Sequence, residues 1–227
     1  MSQIEKDFDG LALLDQDGWS GNKHYHNFLL RHLPAHCDQV VEVGCGTGAF
    51  SRRLAERARQ VTAIDLSSEM IRVARSRSAQ CTNIDFEVAD IVARELPESH
   101  FDCIATIATL HHLPIRCVLA KMKRALKPGG TLIAIDLYEP ERKLLSVRGL
   151  TDAMLNVLAM ATICSLRLLH NRRLRPPPEV RAAWEAHGRS DSYLTMDQAR
   201  SLYGELLPES VVRKHLLWRY SVIWRKT

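Results

Sequence analysis

VVEVGCGTG, residues 40–48, decides the fold: an apolar run rich in valine passes straight into three glycines at alternate positions, Gly44, Gly46 and Gly48. Such a run reads as a strand buried in a parallel sheet. Without Cβ atoms the glycines allow a turn at positive φ and let a ligand lie against the backbone at the strand's carboxyl end, where doubly wound sheets bind their ligands. A helix predicted over 49–57 then begins, and its free N–H groups face the same place, which suits an anionic group such as a carboxylate.

Working outward, apolar runs bounded by turn signals recur to residue 136 with segments of helical period between them, the pattern of repeated βαβ units. Strands are expected near 39–43, 61–65, 84–88, 102–107 and 131–136. Helices fall between them: 49–57, 67–77 with Ser67 or Ser68 as N-cap, and 114–126, stopped by Pro128-Gly129-Gly130. This is α/β, with right-handed crossovers and helices on both faces. Residues 1–38 read as a helical cap, broken at Asp17-Gly18, with a helix from Tyr25 to Leu33. After the core at 39–139, the rhythm changes. Residues 140–194 read as a lid insertion with a long helix over 141–174, ended by Arg175-Pro176-Pro177-Pro178. A closing segment, 195–227, holds a helix at 195–206 capped by Thr195 and two strands within 211–225. The whole chain is expected to form one domain.

Composition narrows the partners. The 227 residues are 46% hydrophobic and 25% charged, ordinary for a globular chain, with a formal net charge of +5. The basic residues are scattered among acidic ones. The clusters Arg172-Arg173-Arg175 and Arg213-Lys214 are not interleaved with aromatics, which argues against nucleic acid as a partner. The six cysteines form no Cys-x-x-Cys pair and no ligand spacing with His, so no metal site is expected and most cysteines read as reduced, buried hydrophobes. Glu5, Lys6, Asp7 and Asp9 stand where a signal peptide would be apolar, and the expectation is a cytoplasmic protein.

Taken alone the glycine loop is ambiguous, because Gly44-x-Gly46-x-x-Ala49 also fits the dinucleotide fingerprint or a plain tight turn. The second strand ends on Asp65, whose carboxylate suits the two hydroxyls of a ribose in either case. The third ends Val88-Ala89-Asp90-Ile91. A second acid one βα unit later offers an acceptor to an adenine amino group, which a nicotinamide cofactor does not require; the alternative role for Asp90 is a helix N-cap. No Tyr-x-x-x-Lys pair follows the fourth strand.

With these motifs in order, joined by Phe101-Asp-Cys-Ile-Ala-Thr-Ile107, His111-His112-Leu113 and Leu126-Lys-Pro-Gly-Gly-Thr-Leu132, the segment 40–136 resembles the class I S-adenosylmethionine-dependent methyltransferases, in the group that includes ubiquinone and menaquinone biosynthesis enzymes. The resemblance implies a Rossmann-like, seven-stranded sheet of order 3-2-1-4-5-7-6 with the last strand antiparallel. It implies S-adenosyl-L-methionine as cofactor and S-adenosyl-L-homocysteine as product. Glu42 and the loop of Gly44, Cys45, Gly46 and Gly48 would hold the methionine portion, Asp65 the ribose, Leu66 and Met70 the adenine edge, and Asp90 and Ile91 the adenine amino group and ring nitrogen. Ile107 would supply backbone near the methionine amino end. Leu66, Met70 and Ile91 have an equally good reading as core. The rival functions are an NAD(P)-dependent oxidoreductase on the same loop and a non-catalytic, cofactor-binding partner module.

The acceptor side is read from what would cover these strand ends. His111 and His112 follow the fourth strand and suit a general base, or a purely structural role. The cap carries Trp19, Asn22, His24, Tyr25 and His26 within eight residues. Tyr25 either closes over the cofactor's methionine end or faces the core with Phe28, and His26 is a second candidate base. Met154 and Met160 of the lid would line an apolar pocket. A small apolar or aromatic acceptor follows, quinone-like, polyketide or terpenoid, or the terminus of a modified peptide, methylated on O, N or C. Asp152, Asn156 and Arg167 interrupt 150–169 and argue against a membrane span, while Arg172-Arg173-Leu174-Arg175 leaves contact with a membrane surface open. Nothing in the pattern sets an oligomeric state.

Overall fold

The computed structural model describes residues 3–14, 18–140, 147–189 and 191–227, with backbone alone for 147–153. Among them seven strands form one sheet: β1 (Gln39–Val43), β2 (Gln60–Asp65), β3 (Ile84–Val88), β4 (Phe101–Ile107), β5 (Leu126–Leu137), β6 (Val211–His215) and β7 (Arg219–Arg225). Their order is β3-β2-β1-β4-β5-β7-β6, with β1 to β5 parallel and β7 antiparallel to both β5 and β6. The expected topology is what forms.

The alternation of side chains builds two cores from single strands. Val41, Ile104, Leu132 and Ala134 face one layer, where α5 (Ile115–Ala125) and α8 (Met196–Leu206) contribute Leu119, Met122 and Tyr203. Val40, Cys103, Ala105, Ile133 and Ile135 face the other, closed by α2 (His26–Leu30), α3 (Ala49–Ala55) and α6 (Val147–Asn171) through Leu29, Phe50, Leu54 and Ala159. Helix starts follow their caps: Ser67 accepts from Met70 N at 3.0 Å to open α4 (Ser68–Arg77), and Thr195 with Gln198 forms a reciprocal capping box on α8. α1 (Gln3–Leu14) lies over α4 and over α7 (Pro178–His187). The chain reverses its strand order between β1 and β4, so the crevice at their carboxyl ends is where a ligand fits.

Four expectations need correction. The helix expected through residue 174 stops at Asn171, where Arg172 turns to positive φ; its start falls on residues outside those described. The prolines open a helix that the pattern did not announce: Pro178 is the first residue of α7, a position where the missing N–H costs nothing. Lys127 to Gly130 do not form a turn after α5 but belong to β5, whose register against β4 shifts between Phe101 and Cys103. Of the cysteines expected to be buried, Cys37, Cys45 and Cys103 are, while Cys117 is exposed. Among the described residues no helix is long and apolar enough to cross a membrane.

Candidate active site

The glycine loop follows β1 and its three glycines do different work. A Cβ on Gly44 would sit 2.1 Å from Thr109 Oγ1, so the backbone there is pressed against the segment after β4; one on Gly48 would meet Phe86 and Ala74 at 3.0–3.1 Å, the packing of α3 on its neighbours. Over Gly46 there is open space, with no atom within 4 Å of an added Cβ and φ at +51°. This is the cradle. Asp65 braces it from the end of β2, accepting from Gly46 N at 2.8 Å through one oxygen and from Ser67 N at 2.9 Å through the other. Burial raises the Asp65 pKa against the pull of these N–H groups and of Leu66 N.

Glu42 lies inside the sheet beneath the loop and accepts from Ser51 Oγ at 2.5 Å. Burial pushes its pKa up to about 8; the Ser51 bond opposes the rise and the Asp65 charge adds to it. Cys45 is buried and its thiol pKa is raised, chiefly by burial. Asp90 is exposed and turns its own chain, accepting from Val92 N at 2.8 Å, while Ile91 is buried in the core beside it. The buried ammonium of Lys121 pins that loop by donating to the carbonyls of Ile91, Val92 and Arg94. Met70 is buried against Leu11 and Ala12 of α1, and Leu66 is partly exposed at the mouth of β2. At the end of β4 the Ile107 carbonyl accepts from Thr109 Oγ1, and Ala108 adopts φ of +51°, strain of the kind that collects at functional sites.

His111 and His112 close a 3₁₀ turn after β4 and are brought into a cluster of acids and rings. Asp136, buried at the end of β5, receives His111 Nδ1 at 2.5 Å and the His111 backbone N–H at 3.0 Å. That bond fixes the tautomer with hydrogen on Nδ1 and leaves Nε2 as an acceptor. His112 faces Asp191 at 3.4 Å, and Asp191 also accepts from the Tyr193 hydroxyl at 2.8 Å. Burial and the neighbouring His111 hold the His112 pKa near 4. His26, buried against Phe50, is likewise held near 4 by burial and by the charges of Lys23, Arg53 and Arg52. Both rings are weak proton acceptors near pH 7. Among the described residues His111, His112 and Asp191 could also hold a metal ion, with ligand atoms all within 4.8 Å, a grouping hidden from any reading of local spacing. The His111 bond to Asp136 and the 3.4 Å approach of His112 to Asp191 already account for that proximity.

Beside this cluster opens a cleft of about 570 Å³ lined by Tyr138, Asp191, Tyr193, Trp218 and Arg219. Leu217 and Trp218 make the turn from β6 to β7 at φ of +60° and +54°, positions that glycine or asparagine usually fills. Core burial of Leu217 and a bond from Trp218 Nε1 to Asn156 Oδ1 at 2.7 Å hold the strained turn. Arg219 follows, donating through Nε and Nη2 to Asn22 Oδ1 and through Nη1 to Leu217 O. Tyr25 takes the packing alternative, its ring buried and its hydroxyl donating to Leu216 O at 2.6 Å. On α6, Met154 and Met160 are 73% and 53% exposed among the described residues, while Asn156, Ala159 and Ile163 turn inward. Asp136, Asp191, Tyr193, Trp218 and Arg219 were not foreseen; Asp136 alone left a signal, an acid ending a buried strand as Asp65 does.

A family model for a methyltransferase domain matches residues 40–130. An uncharacterised methyltransferase of Mycobacterium bovis is 31% identical over 210 residues, 91% of this chain and 96% of the relative. A ubiquinone biosynthesis O-methyltransferase of Xanthomonas campestris is 39% identical over 103 residues, 44% of this chain and 43% of that one. The crystal structure of the N-methyltransferase NodS from Bradyrhizobium japonicum, solved with S-adenosyl-L-homocysteine, shares the fold with a TM-score of 0.60 at 19% identity over 99% of each chain. The chain belongs to the methyltransferase family, as a class I enzyme that uses S-adenosylmethionine. That sets aside the nicotinamide and non-catalytic readings, and the open cradle over Gly46 with Asp65 beneath it fits such a cofactor.

Proposed function

We propose that the protein methylates an O, N or C nucleophile of a small acceptor with apolar or aromatic surface, bound in the cleft beside His111. The His111–Asp136 pair carries this reading: a ring whose Nδ1 is spoken for by a buried carboxylate and whose Nε2 is free to take a proton, beside the crevice that holds the cofactor. The loop Gly44 to Gly48 and Glu42 hold the methionine portion, Asp65 the ribose, Leu66 and Met70 the adenine edge, Asp90 and Ile91 the adenine polar edge, and the Ile107 carbonyl the amino end.

S-adenosylmethionine supplies an electrophilic methyl on a positively charged sulfur. The chain's own residues align and desolvate the acceptor against it, a contribution that can exceed that of any base. His111 Nε2 accepts the proton that the acceptor loses as its lone pair forms the new bond to carbon, and Asp136 stabilises the resulting imidazolium. His112, with its pKa near 4, keeps a neutral ring against Asp191 and shapes the wall. Aromatic lining from Tyr138, Tyr193 and Trp218 supports the apolar or aromatic acceptor. Calorimetric titration with S-adenosylhomocysteine tests the cofactor assignment, and His111→Gln tests the base. Turnover should fall about 10²-fold or more with cofactor affinity unchanged; equal losses in both would mean that His111 is part of the cofactor site.

A further inference from the structure

We propose that the acceptor carries a carboxylate and that Arg219 receives it; this rests on the cleft being the acceptor site of a methyltransferase, as above. Arg219 lines the cleft together with Tyr138, Tyr193 and Trp218. A guanidinium has five N–H groups. Three are used: Nε and Nη2 on Asn22 Oδ1 at 3.0 and 2.8 Å, and Nη1 on Leu217 O at 2.7 Å. One N–H on each terminal nitrogen is left over. All three bonds go to neutral oxygens, and among the described residues no carboxylate lies within 4.0 Å of the guanidinium.

Of the nearby acids, Glu139 also lines the cleft but lies beyond 4.0 Å of the guanidinium, and Asp136 and Asp191 are committed elsewhere. Asp136 serves the His111 ring, the His111 N–H and the Leu137 N–H, and Asp191 serves Tyr193 and His112. A partly buried cation without a contacting counter-ion is costly to maintain, and three bonds to fixed acceptors hold this one in a single orientation before any ligand arrives. Burial draws its pKa below the usual arginine range, opposed by the charge of Asp136. The anion that best matches a planar guanidinium is a carboxylate, and Tyr138, Tyr193 and Trp218 give the cleft aromatic surface beside Glu139 and Asp191. Leu137, next to Asp136 on β5, pairs with Arg219, and Tyr193, which lines the cleft with Arg219, has its ring 5.0 Å from that of His111. A small aromatic acid can therefore rest its carboxylate on Arg219 while its nucleophile reaches toward His111. The acceptor class narrows from apolar or aromatic to an apolar or aromatic carboxylic acid.

The test uses the full chain loaded with S-adenosylhomocysteine and titrated with benzoate, phenylacetate and cinnamate, each beside its uncharged amide. Wild type should prefer at least one acid over its amide. Arg219→Gln should lower that acid's affinity about 10- to 100-fold and abolish the preference, with Arg219→Lys in between. Asn22→Ala, which loosens the clamp but keeps the guanidinium, should retain the preference within about threefold. Equal responses to acids and amides, no response to either, or an Asn22→Ala loss as large as that of Arg219→Gln would overturn the proposal, the last by making Arg219 a strut for the cap. If Arg219→Gln does not fold, the wild-type preference and the Arg219→Lys titration decide. Loss of S-adenosylhomocysteine binding by the wild type would instead remove the cofactor assignment, and this inference with it.

Discussion

Replacing Gly46 with alanine separates the role of the loop as a cradle from its role as a turn. An alanine at φ of +51° costs about 1–2 kcal/mol of left-handed strain, and no clash adds to it because nothing lies within 4 Å of the new methyl. For a chain of 227 residues, each kcal/mol lowers Tm by about 2–4 °C, so the variant should remain folded with Tm reduced by about 2–8 °C. With the cofactor placed over the loop as proposed, the same methyl meets it, and S-adenosylhomocysteine affinity should fall on the order of 100-fold, or about 2.7 kcal/mol. Gly44→Ala is the contrast. Its Cβ would meet three Thr109 atoms between 2.1 and 2.8 Å, and the hydroxyl of that threonine is bonded to Ile107 O. Overpacking and strain together should cost about 2–5 kcal/mol. Urea unfolding and calorimetry on the same preparations distinguish the two variants. If folded Gly46→Ala bound S-adenosylhomocysteine within threefold of wild type, the space over Gly46 would not be the cofactor cradle.

Other substitutions address the rest of the site. Glu42 has its folded pKa raised from 4.5 to about 8, so the empty protein holds a proton that the unfolded chain releases; stability should fall as pH rises between those values, by up to about 1.4 kcal/mol per unit, and Glu42→Gln should flatten that slope in urea titrations from pH 5.5 to 7.5. Asp136→Asn should lower kcat about 10²-fold or more without changing cofactor affinity, and combining it with His111→Gln should add little; additive losses would show that the two do not act together. Lys121→Met removes three bonds to the loop carrying Asp90 and Ile91 and should cost about 2–4 kcal/mol with a weaker S-adenosylhomocysteine titration, while a stability loss under 1 kcal/mol would mean that water replaces the ammonium. Met154→Gln with Met160→Gln should leave acceptor KM unchanged, both side chains being exposed; a rise in KM would return α6 to the pocket wall.

The fold was legible wherever local pattern carried it. Valines 40, 41 and 43 with the glycines after them announced a buried strand and its turn, and Asp65 and Asp90 each stood at a strand end. Legibility failed where the decisive contact is remote. His111 could be singled out as a candidate but not ranked above His112 or His26, because the ranking depends on Asp136, 25 residues away, and on burial that depresses the other two rings. Which side of α6 meets the protein could not be read, because a helix rich in apolar residues all round does not reveal it; the choice fell to Asn156, a polar residue whose partner is the Trp218 indole, leaving Met154 and Met160 exposed. Arg219 lay in a segment read only as strand, and the role proposed for it depends on Asn22, 197 residues away.

The cap and the cleft are tied together by bonds that span nearly the whole chain: Trp19 N to Asn171 Oδ1, Tyr25 Oη to Leu216 O, and Arg219 to Asn22, separations of 152, 191 and 197 residues. A ribosome delivers residues 19–25 long before any of these partners exists, while β1 to β5 can already pair among themselves. β7 must then slot between β5 and β6, and only at that insertion do Trp218 and Arg219 reach the cleft and the cap find its anchors. The residues proposed for the cofactor thus come from the first half of the chain, and the Trp218 and Arg219 wall of the cleft comes from its last strand pair.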